Sequence, residues 1–258
     1  MEQRIQLPLG ARYFPCILTQ PDYGSIQRVV LGIHGLGGSA CDEIQKGIAE
    51  EMEMFSSAAM RFDFPGHGDS PLSDAEFTLD NCREMVLAAA QYARRNFPQV
   101  KDLCIFATGF GAYITLITLE RILALPGTVK LVVQTPSVLM HETLLAMRGI
   151  SQETFCAMDR MVFQTARPFA VTYSFYESMK ENIALNTYPI PILILQGEED
   201  AFIRQEDINN FRRINEQSKL VVIPGASHRF LEDGAWDMVL DLTRDWFAFE
   251  QVLLADWK

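Results

Sequence analysis

Paired cysteines, basic clusters and long apolar runs are all missing from this 258-residue chain, and each absence argues against a class of function. Its five cysteines, Cys16, Cys41, Cys82, Cys104 and Cys156, never form a C-x-x-C pair, so neither a disulfide framework nor a zinc site is indicated. That usage fits a reducing compartment. Lysine and arginine number 22 against 33 aspartate and glutamate, a formal net charge of −11. Nucleic acids and anionic membranes require clustered cations to meet their phosphates, and the densest basic pairs here are Arg94-Arg95 and Arg212-Arg213. No apolar run approaches the ~20 residues that span a bilayer, and the opening MEQRIQLPLG is too polar for a signal peptide. The expected location is the cytoplasm. Hydrophobic residues at 48% and charged residues at 21% describe an ordinary globular chain, and its length suits one α/β domain over residues 1–258.

Short β-branched runs alternate with longer amphipathic ones, the pattern of parallel strands joined by crossover helices. Strands are predicted at 12–19, 28–34, 55–63, 103–108, 129–134, 192–196 and 220–223. Helices are predicted at 43–54, 78–96, 111–125, 206–216 and 234–254, with Thr78 as an N-cap. The runs VVLGI, LVVQ and ILIL are almost continuously apolar, as strands covered on both faces are. The fold class is therefore α/β, a mostly parallel doubly wound sheet. Between Gln134 and Pro191 no strand is evident, so residues 137–188 read as an inserted helical cap whose apolar side chains mostly pack against the sheet.

Four loops at the carboxyl ends of strands carry residues suited to chemistry, at the edge where open α/β sheets bind ligands. In His34-Gly35-Leu36-Gly37-Gly38-Ser39, glycines let backbone N–H groups turn toward a ligand. Alone, this is an ordinary tight turn. The loop RFDFPGHGDS, residues 61–70, looks structural: Asp63 and Asp69 can accept from its exposed N–H groups, and His67 reads as a hydrogen-bonding loop residue rather than a catalyst. The remaining pair is Gly197-Glu198-Glu199-Asp200 and Gly225-Ala226-Ser227-His228, where a carboxylate and an imidazole on neighbouring strand ends can meet.

Together HGLGGS, RFDFPGHGDS, FATGFGAY, GEEDAFI and GASHRF resemble the α/β-hydrolase superfamily, especially its small cytoplasmic esterases and acyl hydrolases. The resemblance covers nearly the whole chain. It implies Asp200 as the acid, His228 as the base, and oxyanion donors at the backbone of Leu36 and Phe110. It also implies a small apolar or aromatic ester or acyl ligand, with no cofactor and no metal.

One position departs from that pattern. The elbow FATGFGAY carries Gly109 where the family has its nucleophilic serine, with small Ala107, Gly111 and Ala112 around it. The tight turn is retained while the attacking oxygen is absent. Thr108 is the nearest hydroxyl, but its side chain should point away from the imidazole, and Cys104 lies within the strand. Three readings stand open: a ligand- or protein-binding pseudohydrolase, base catalysis by His228 and Asp200 without a covalent intermediate, and a serine esterase whose serine has been exchanged for glycine.

Overall fold

The computed structural model describes residues 1–248. Eight strands form one sheet in the order β1-β2-β4-β3-β5-β6-β9-β10. They span β1 Glu2–Leu9, β2 Arg12–Thr19, β3 Arg28–Ile33, β4 Ser57–Phe62, β5 Asp102–Thr108, β6 Thr128–Gln134, β9 Ile192–Gly197 and β10 Lys219–Ile223. The pairs β1/β2 and β2/β4 are antiparallel and every other pair is parallel. The connecting helices are α1 Glu43–Met54, α2 Leu79–Asn96, α3 Gly109–Leu123, α7 Gln205–Ile214 and α8 Ala235–Ala248.

Each helix buries the stripe its sequence supplies. In α1, Ile44, Ile48 and Met52 recur at helical spacing and join Val239, Leu242 and Trp246 of α8 on one face of the sheet. The opposite face packs α2 and α3. Eleven of the fifteen residues of α3 are buried, which suits a largely apolar helix whose charges, Glu120 and Arg121, sit near its exposed end. Thr78 caps α2 by accepting from the N–H of Asn81. The sequence expectation for the last helix ran to 254, and its portion beyond 248 lies outside the described residues.

Two features differ from the sequence expectation. Strand β1 was not predicted: it is an edge strand with Pro8 and mostly exposed polar positions, and only Ile5, Leu7 and Leu9 turn inward. The segment between β6 and β9 is also not purely helical. It holds α4 Met140–Arg148, α5 Gln152–Met158 and α6 Tyr173–Glu181, and between α5 and α6 an antiparallel hairpin of β7 Arg160–Phe163 and β8 Phe169–Thr172. Four-residue strands are too short to show a period.

The hairpin tip is tied down by one side chain. Arg167 donates through Nη1 to the carbonyls of His67 at 3.3 Å, Gly68 at 3.0 Å and Ser70 at 2.7 Å. A charged donor serving carbonyls contributes about 2 kcal/mol. Arg167→Ala is expected to lower the melting temperature by ~4–8 °C and to hasten proteolysis inside the hairpin. An unchanged melt and cleavage pattern would show that the tie bears no load.

The sheet order also places the site. β3 is flanked by β4 and β5, and the chain leaves β3 through α1 on one face and reaches β5 through α2 on the other. That reversal opens a crevice beyond the carboxyl ends of the strands, where ligands bind in such sheets.

Candidate active site

The elbow between β5 and α3 is built as its sequence requires. Thr108 is extended, and Gly109 then takes φ +47, the left-handed region that only glycine enters freely. Beyond its chain neighbours and its own helix turn, a Cβ built on Gly109 would meet a single heavy atom within 4 Å, Nε2 of His228 at 3.8 Å. At Gly111 the constraint is space instead: a Cβ there would lie 2.6 Å from the carbonyl oxygen of Ile33 and closer still to that of His34. The elbow can sit against β3 only because that side chain is absent.

His228 and Asp200 are brought together from adjacent strand ends. Nδ1 of His228 lies 2.9 Å from Oδ2 of Asp200. The other carboxylate oxygen accepts from the N–H groups of Phe202 at 2.8 Å and Ile203 at 3.0 Å. Nε2 of Gln196 also donates to Oδ2, at 3.2 Å. The two loops are laced together by Glu198, which accepts from the N–H of Gly225 at 2.9 Å, and by the N–H of Glu199 donating to Ala226 at 2.9 Å. Burial opposes ionisation of Asp200, whose side chain is 1% exposed, but the hydrogen bond and charge of His228 and the two loop N–H groups outweigh it. The carboxyl is held below its ordinary range. An ionised Asp200 requires Nδ1 to carry its proton, which leaves the Nε2 lone pair facing the elbow.

Leu36, Gly109, Phe110 and His228 all line one cavity of about 750 Å3, roofed in part by Thr165 and Arg167 from the hairpin tip. Among the described residues, the backbone N–H groups of Leu36 and Phe110 donate to no other group. Phe110 N–H is one of the open donors of the first turn of α3. Met140 and Met147 of the cap reach this cavity, whereas Phe155, Phe169, Phe175 and Met179 are packed in the core.

The glycine loop after β3 is held by His34. The N–H of Phe64 donates to its Nε2 at 3.0 Å, so Nδ1 carries the hydrogen and donates to the carbonyl of Gly35 at 2.8 Å. Complete burial pushes this imidazole below its usual range, the charge of Asp63 opposing. His67 is likewise buried and pushed down to about 3, chiefly by burial, with Nδ1 2.9 Å from the carbonyl of Pro65. Asp63 accepts from the N–H groups of Ala40 and Asp69 at 2.6 and 2.9 Å. Asp69 does not cap the loop as expected: its carboxylate instead pairs with Arg4 at 3.0 Å.

Cys104 is fully buried, and that burial pushes its thiol up to about 12, which leaves it inert. Thr108 lines the cavity, and its Oγ1 faces Gly35 closely enough that a Cβ there would stand 3.3 Å away. Gln196 was missed by sequence reasoning, although a polar residue closing the apolar run ILIL was the available signal. Arg167 and Thr165 had no such signal. Among the described residues, no group of His, Cys, Asp and Glu could hold a metal ion, and no helix is long and apolar enough to cross a membrane.

A profile described as the alpha/beta hydrolase family matches residues 30–242. No curated protein matches the sequence. Among solved structures, a protein of Agrobacterium vitis S4 superposes with a TM-score of 0.80 at 16% identity, covering 96% of this chain and 98% of its own. Est1E from Butyrivibrio proteoclasticus with ferulic acid bound gives 0.77 at 18% identity, covering 93% and 96%. Alpha/beta hydrolase domain-containing protein 10 from mouse gives 0.73 at 15% identity, covering 94% and 97%. At these identities the likeness is one of fold.

Proposed function

On the premise that this chain belongs to the alpha/beta hydrolase family, we propose that it is an esterase-lineage protein whose cavity binds a carboxylic ester or acyl compound without forming a covalent intermediate on it. The observation that carries the reading is the elbow itself: the position from which family members attack has no side chain, and His228 Nε2 stands 3.8 Å from where a Cβ would be. Asp200 is the acid, His228 the base, and the N–H groups of Leu36 and Phe110 the donors for a carbonyl oxygen. An apolar wall of Met140, Met147 and Ile203 favours an apolar or aromatic acyl group. The ferulic acid held by Est1E makes an aromatic acid a sensible first compound to try.

No other side chain takes over the covalent role. Cys104 is buried and protonated. An Oγ at 109 would begin from a carbon next to Nε2, whereas Thr108 precedes the elbow on extended backbone. A fluorophosphonate probe is therefore expected to leave the protein unlabelled, and p-nitrophenyl esters to give no initial burst. Calorimetry with ferulic acid should meanwhile register binding that Met147→Trp, which narrows the cavity, weakens. Stoichiometric labelling of any residue in this cavity, located by peptide mass spectrometry, would overturn the reading.

A further inference from the structure

The missing side chain leaves a space with a particular neighbour. Beyond its chain neighbours and its own helix turn, a Cβ at 109 meets only Nε2 of His228, and Leu36, Thr108 and Phe110 line the same cavity. A water oxygen ~2.8 Å from Nε2 can rest against the bare Cα of Gly109, where any Cβ would crowd it. Nδ1 is engaged with Asp200, so the ring offers its lone pair to that oxygen and nothing else among the described residues takes it. The N–H groups of Leu36 and Phe110 remain open to a carbonyl oxygen on the other side of the elbow.

We infer that Gly109 seats a water molecule which His228 deprotonates for direct attack on a bound carboxylic ester, making the protein a general-base hydrolase. The inference rests on the ester-binding reading above and adds an activity to it. In the step, one O–H bond of water breaks, its proton passes to Nε2, and the water oxygen forms a bond to the acyl carbon. The carbonyl electron pair moves onto oxygen, where the two N–H groups receive the charge. Collapse of that adduct breaks the bond to the leaving oxygen, which takes the proton back from Nε2. The products are a carboxylic acid and an alcohol, and water is the sole co-reactant.

The arrangement favours reactive substrates. A serine alkoxide replaced by water loses the benefit of a covalently positioned nucleophile, and sites stripped of a triad member retain ~10³–10⁴-fold catalysis over water. Esters with good leaving groups, such as aryl esters of short acids, need the least further help.

The test uses the unmodified chain with p-nitrophenyl acetate and p-nitrophenyl butyrate. Turnover is expected ~10³–10⁴-fold above the buffer rate, falling ~10²-fold in His228→Ala, which removes the base. Gly109→Ala sets a methyl group against the water's position, crowding it out, and is expected to lose a comparable ~10²-fold. Should the left-handed φ keep that variant from folding, His228→Ala tests the same step on an unstrained backbone. No turnover above buffer, or a full rate in His228→Ala or in folded Gly109→Ala, would overturn the inference. None of these outcomes touches ester binding without a covalent intermediate, which fails instead on probe labelling or an initial burst.

Discussion

Gly109→Ser is expected to raise esterase turnover by ~10²–10³-fold or more over the unmodified chain, since losing the nucleophile alone costs such a site up to ~10⁶-fold in kcat. The new Cβ would stand 3.8 Å from Nε2 of His228, so one rotamer of the hydroxyl comes within hydrogen-bond reach of the base. Asp200 already holds the opposite ring nitrogen at 2.9 Å. The signs of success are a burst with p-nitrophenyl butyrate and labelling of residue 109 by a fluorophosphonate. The same change should cost ~1–3 kcal/mol of stability, because a serine forced to φ +47 carries the strain that glycine avoids. Lost stability without activity would mean that the donors at Leu36 and Phe110 do not converge on a carbonyl, leaving a binding site only.

Gly111→Ala should do the opposite, damaging the fold with no chemical gain. Its methyl group would be driven to within 2.6 Å of the Ile33 carbonyl oxygen and 2.9 Å of the Ile33 side chain. Those atoms end β3, a strand paired on both sides and buried along nearly its whole length. Neither the strand nor α3 can retreat into a core packed this closely, so the expected loss exceeds ~4 kcal/mol. A thermal melt should fall by at least ~8 °C, and a shift of less than ~2 °C would show that the elbow and β3 yield more readily than their burial suggests.

These two glycines illustrate what can be read from the chain. Gly111 and Ala112 are legible as small residues around an elbow because the steric need is local. The pairing of Asp200 with His228 is legible from the order of the loops, since β9 and β10 are adjacent parallel strands whose ends must lie side by side. Strands such as LVVQ and ILIL declare themselves because both faces are covered. The hairpin β7–β8 does not, because four residues are too few to show a period and β8 buries three in a row, and its tip is tied by Arg167 to a loop about a hundred residues earlier. The role of Asp69 fails for a related reason: local turn chemistry suggested a cap, and a distant cation, Arg4, won its carboxylate. Long-range polar contacts have no period, so no window of sequence contains them.

The position of β10 gives the two halves of the site unequal hold on the protein. This strand is at the rim of the sheet with one neighbour, and four of its five residues are at least partly exposed, whereas α3 and β5 are enclosed at the centre. Opening free energy follows that difference: rim segments escape by local fluctuation, while central ones exchange their amides only when the whole domain comes apart. Amides of β10 are therefore expected to exchange ahead of those of β5 and α3. A ligand in the cavity touches both sides and is expected to slow exchange most on the side of His228.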